Sequence, residues 1–113
     1  MAQLQRPTVA RPDRREVVTS IGDIRPQDHA LVTGVITSKA ALSISGFPAC
    51  RYTLDDGTGE VDLLFLGRVL IAGLETDMTC IAEGRATMRD GAIVIWNPRY
   101  DVVAAVPADG DTL

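Results

Sequence analysis

Basic and aromatic side chains at strand-like positions are the residues of this chain best suited to chemistry. Arg51 and Arg89 could each grip a phosphate through two N–H groups, and Lys39 could do so as a point charge. Phe47 and Trp96 offer ring faces for stacking, and Thr53 adds a hydroxyl beside Arg51. The plain alternative is that these cations are solvated charges paired with Asp62 or Glu83. Catalytic arrangements are missing. His29 is the only histidine and reads as an exposed turn residue beside Asp28. Asp55 and Asp56 could be a carboxylate pair, but a hairpin turn explains both. The sequence contains no nucleophile elbow, phosphate loop or metal-ligand cluster. The chain therefore reads as a non-enzyme with no cofactor and no metal. Cys50 and Cys80 have no Cys-x-x-Cys pairing, sit at inward positions of a β pattern, and read as buried reduced thiols.

The elements that would position these groups are strands. Asp55-Asp56-Gly57-Thr58-Gly59 separates Cys50–Leu54 from Val61–Leu66, and apolar residues alternate on both sides. Glycine after short acidic residues supplies the positive φ of a tight hairpin, so the turn's task is to set register rather than touch anything. Strand 1 is expected over Ala30–Lys39, followed by a small-residue loop from Ala40 to Gly46. Strand 2 is expected over Phe47–Leu54, strand 3 over Glu60–Leu66, strand 4 over Met78–Met88 and strand 5 over Ala92–Trp96. Arg89-Asp90-Gly91 is a second hairpin turn, and Asn97-Pro98 ends strand 5 because proline cannot donate to a ladder. Thr19–Ile24 reads as a single capped turn. The connector from Gly67 to Thr76 has room for a short helical turn at Arg68–Ile71. Mid-strand Gly34 and Gly84 imply bending or close approach.

Composition bounds the rest. The chain has 113 residues, 46% of them hydrophobic, which suits one domain with its own core. No apolar run approaches the roughly 18 residues needed to span a bilayer, and the N-terminus lacks a signal-like segment, so a cytoplasmic location and no membrane partner are expected. Net charge is −4, unevenly spread. Residues 1–17 read as a flexible basic arm, 18–103 as the domain, and 104–113 as a disordered acidic tail. Between residues 19 and 103 there are seven basic against eleven acidic groups, which disfavours strong non-specific grip on a phosphate backbone.

Five strands, two of them bent at glycines, imply a closed sheet without exposed edges, best matched by an all-β, five-stranded Greek-key OB-fold barrel; a small SH3-like barrel is the rival, and the connector between strands 3 and 4 argues against it. Val32–Ile36, Leu54–Gly59 and Glu83-Gly84-Arg85 resemble OB-fold nucleic-acid-binding domains of the anticodon-binding type and the RecG wedge type. Asn97-Pro98-Arg99-Tyr100 is similar to the RecG branch. Leu64–Arg68 followed by Ile71–Leu74 resembles small stand-alone actinobacterial OB-fold proteins. The resemblance covers roughly Val18–Val103 and implies binding of single-stranded or branched nucleic acid, DNA or RNA.

OB barrels bind across strands 2 and 3, between the loops joining strands 1–2 and 4–5. That geometry places Arg51 and Thr53 outward, with Lys39 and Arg89 at the flanking loops. Trp96 either stacks on a base or plugs the barrel end, Phe47 is a second stacker, and Tyr100 anchors the chain end. Leu64 and Leu66 share the outward face with Asp62. They form a platform under bases, a homo-oligomer or protein-partner interface, or cover for the N-terminal segment. A protein-interaction or assembly module using this face is the rival reading.

Overall fold

The computed structural model describes residues 17–103, so nearly all of the expected arm and the whole expected tail lie outside the described residues. A 3-10 turn at Ile21–Asp23 precedes six strands: β1 His29–Ile44, β2 Phe47–Asp55, β3 Glu60–Leu66, β4 Thr79–Arg89, β5 Ala92–Trp96 and β6 Arg99–Val102. Neighbours run β1-β2-β3-β5-β4-β6, and β1 also pairs with β4, so the first five strands close into a ring. Pairing is antiparallel except between β3 and β5.

β1 is much longer than its sequence pattern suggests. Instead of a loop at 40–46, the ladder runs from Ala40 opposite Arg51 to Ile44 opposite Phe47. The turn is only Ser45-Gly46, at φ 51° and 83°, which are the angles of a two-residue hairpin. Asp90-Gly91, at 52° and 81°, closes β4–β5 in the same way.

Asn97-Pro98 does end β5, but the ladder resumes. β5 pairs with the Ala86–Arg89 part of β4, and β6 pairs with Cys80–Glu83 on the same strand after a one-residue slip. Pro98 removes one donor and Asn97 takes φ 47°, so the chain bulges and then re-pairs. Gly84 makes the bulge possible: a Cβ there would lie 2.6 Å from Ile95 Cγ2. Gly34 sits where β1 passes from β4 to β2, and a Cβ on it would lie 2.7 Å from the Asp55 carbonyl oxygen. Both mid-strand glycines thus answer a close approach.

The core fills the barrel with Val32, Ile36, Tyr52, Leu54, Val61, Leu63, Cys80, Ala82 and Ile95. Ile21 and Ile24 add to it from the 3-10 turn, and Ile71 and Leu74 from the β3–β4 connector. The helical turn expected at 68–71 is reduced to one hydrogen-bonded turn, Leu74 N to Ile71 O at 3.1 Å, and Arg68, Val69 and Leu70 are exposed. Tyr52 fastens this connector: its hydroxyl accepts from Ile71 N at 3.0 Å and faces Ile71 O at 3.5 Å. Phe65 meets Tyr52 and Tyr100 edge to face, at 5.9 and 5.6 Å. Both cysteines are free and buried. Burial, helped by the Asp101 carboxylate, pushes the Cys80 thiol up to about 11.

The Asp55–Gly59 turn touches more than expected. Asp56 Oδ2 accepts from Ile21 N and Thr58 Oγ1 accepts from Gly22 N, both at 2.9 Å. Asp56 Oδ1 accepts from Thr58 N at 2.8 Å and from Thr58 Oγ1 at 2.6 Å. The turn is therefore a cap that satisfies the free N–H groups of the 3-10 turn and docks it on the barrel. These bonds, the one from Ile21 foremost, hold the Asp56 carboxyl below its ordinary value.

Candidate functional site

Strand phase and register assemble the outer face. Its middle row is Ala40, Arg51, Leu64 and Trp96, drawn from β1, β2, β3 and β5 in turn. A neighbouring row is Ser38, Thr53, Asp62, Val94 and Thr87, which reaches β4. On the other side lie Leu42, Ala49 and Leu66, then Ile44 and Phe47 at the hairpin tip. The β3–β5 pairing brings Trp96 beside the β2–β3 hairpin. Asn97 fixes that junction, donating its N–H to Leu64 O at 2.6 Å and accepting from Leu66 N through Oδ1 at 3.0 Å.

Several predicted residues do meet here. Arg51 and Trp96 flank Leu64 in one row, and both are half-buried. Phe47 is 61% exposed at the tip of the β1–β2 hairpin. Arg89 lies two residues from Thr87 along the same face of β4 and pairs with Asp90 at 3.5 Å. Arg51 has no ion pair among the described residues, and its Nε is buried without a hydrogen-bond partner.

Three placements differ from expectation. Leu64 has the outward phase, yet it is only 1% exposed, as Ala49 and Val94 on the same face are buried at 0% and 2%; of the two leucines Leu66 alone remains open, at 43%. Thr53 is 8% exposed and its hydroxyl is spent, donating to Asp62 Oδ1 at 2.8 Å. Lys39 is on the opposite face. A bulge at Thr37 shifts the β1 register so that Lys39 stands across from core-facing Tyr52, and its ammonium pairs with Glu75 of the connector. The Glu75 hydrogen bond raises the Lys39 pKa. There Lys39 lines a half-open cavity of about 180 Å³ with Cys50, Tyr52, Val69 and Leu70.

The face holds apolar and aromatic groups in its middle, one arginine within it, a second at its β4 margin, and the Asp62 carboxylate. Sequence reasoning missed Asp62 as a site residue, along with Leu42 and Ile44. The Ser45-Gly46 dipeptide, a turn signal, was the available clue for the last two. Among the described residues no group of three or more His, Cys, Asp or Glu could hold a metal ion, and no helix is long and apolar enough to cross a membrane.

Comparison with known structures identifies the architecture as the OB fold. The second OB-fold domain of replication protein A from Methanococcus maripaludis superposes with a TM-score of 0.63 at 10% identity, covering 79% of this chain and 97% of that one. A replication factor A related protein from Methanobacterium thermoautotrophicum gives 0.63 at 13% identity, over 83% of this chain and 96% of that one. RecG bound to a three-way DNA junction gives 0.64 at 18% identity, over 79% of this chain and 13% of the RecG chain. No family model and no curated protein sequence matches the chain.

Proposed function

We propose that this domain is a non-catalytic module that binds nucleic acid, single-stranded in preference to duplex and with modest affinity, across the outer face of β2, β3 and β5. The observation that carries the reading is the row Arg51–Leu64–Trp96, which sets a guanidinium and an indole on either side of one apolar residue. Such a pair can hold a phosphate and a neighbouring base together, which is the combination used in sequence-tolerant single-strand binding. The buried Arg51 Nε supports it. A guanidinium N–H without an acceptor is costly, and a phosphate oxygen is an acceptor that suits it. Phe47 extends the surface toward the hairpin tip, and Arg89 adds charge at the other margin.

The modest affinity follows from charge. Asp62 lies within the face, and acidic groups outnumber basic ones between residues 19 and 103. The rival assembly reading keeps only Leu66 of its two leucines, since Leu64 is sealed. Titration with a single-stranded oligonucleotide at low salt, followed by Trp96 fluorescence and by gel mobility, tests the proposal. Binding in the micromolar range that weakens with salt is expected. Silence in both assays at tens of micromolar refutes it.

A further inference from the structure

Asp62 lies on the same face as Trp96, one row along the strands. It lies two residues along β3 from Leu64 and one strand over from Trp96, a diagonal of about 8 Å at a rise of ~3.3 Å per residue and a strand spacing of ~4.8 Å. Its partner Val94 is likewise two residues from Trp96 on β5. A base stacked on the Trp96 ring can span that diagonal with its edge. A base lying on the Trp96 ring and turned along the strands would therefore meet the Asp62 carboxylate. The carboxylate is fixed in place: Oδ1 accepts the Thr53 hydroxyl at 2.8 Å, and the side chain is half-buried. No cation pairs with it among the described residues. Both oxygens keep lone pairs to offer.

An ionised carboxylate can only accept. The Watson–Crick edge of guanine offers it two adjacent donors, N1–H and N2–H. Thymine and uracil offer one N3–H between two carbonyl oxygens, and those oxygens repel the carboxylate. We infer that Asp62 makes this face selective for guanine over thymine or uracil. Thr53 is a positioning residue, fixing the carboxylate through its hydroxyl. The inference rests on the nucleic-acid reading above and gives Asp62 a use in place of a merely repulsive charge.

The test compares single strands about twelve nucleotides long: all thymine, alternating thymine and guanine, and alternating thymine and inosine, which lacks the N2 amino group. The guanine strand should bind about tenfold more tightly than the thymine strand, the low-to-middle range for a bidentate base contact in an open groove. The inosine strand should fall between them. Asp62→Asn should erase the ratio and tighten thymine binding, because a repelling charge is gone. Thr53→Ala should shrink the ratio without abolishing binding, and circular dichroism on both variants keeps folding separate from selectivity. Equal affinity for all three strands, or a ratio that survives Asp62→Asn, overturns the inference while leaving nucleic-acid binding intact. Failure of every strand to bind removes the proposed function and this inference with it.

Discussion

Replacing Asp56 with alanine should destabilise the domain by about 2 kcal/mol, because three hydrogen bonds end on that carboxylate. The Ile21 N–H bond at 2.9 Å is the costliest to lose, since it leaves a part-buried donor unpaired at the entry to a buried residue. A lost bond of that kind costs roughly 1–1.5 kcal/mol. The two Thr58 bonds are exposed and local, worth about 0.5 kcal/mol together after solvent competition. Loosening of the docked 3-10 turn supplies the remainder. For a domain of this size 1 kcal/mol corresponds to roughly 4–8 °C in Tm, so a fall of about 10 °C is expected in a thermal melt. The pH dependence has a fixed sign. The folded state lowers the Asp56 pKa, so its stabilisation is complete above the ordinary carboxylate value of about 3.9 and is lost as pH falls through the folded value. The parent should therefore lose Tm more steeply than Asp56→Asn as pH drops below about 4. An Asp56→Ala melt within 2 °C of the parent (~0.4 kcal/mol) would refute the capping account.

Other perturbations test separate parts of the structure. Gly34→Ala should cost about 2–3 kcal/mol, since its Cβ would press on the Asp55 backbone, which cannot turn aside as a side chain can; chemical denaturation measures it. Tyr52→Phe should cost about 1–2 kcal/mol by stripping Ile71 N–H of its acceptor, and hydrogen exchange should show the connector opening first. Arg51→Ala and Arg89→Ala should each weaken oligonucleotide binding several-fold and lower the log–log salt slope by about 0.7, the share of one single-strand phosphate. An unchanged slope would clear the residue concerned.

Where a strand has one buried face and a chemically marked turn, the sequence was enough. β3 and β5 begin and end where alternation and the Gly-containing turns say they should. β1 outran its expected end because Ala40–Ile44 has no face in the main core, so its alternation is weak even though the ladder is intact. The misplacement of Lys39 has a single cause. A bulge at Thr37 reverses side-chain phase, and no residue type there announces it. Leu64 shows a different limit. Its phase was legible, but its neighbour on β5, Trp96, arrives from 32 residues away in a parallel pairing that local pattern does not encode. A similar separation, 35 residues, hid the cap between Asp56 and Ile21.

The central claim, that nucleic acid lies on the outer face of β2, β3 and β5, is tested most directly by an NMR titration. A single-stranded oligonucleotide would be added while watching the one indole N–H, that of Trp96, and the Arg51 Nε–H. Both signals should move in parallel with the amides of Thr53, Asp62 and Leu64, and saturate together. Shifts confined to Lys39, Val69 and Leu70 on the opposite face, or no shifts at all, would contradict it.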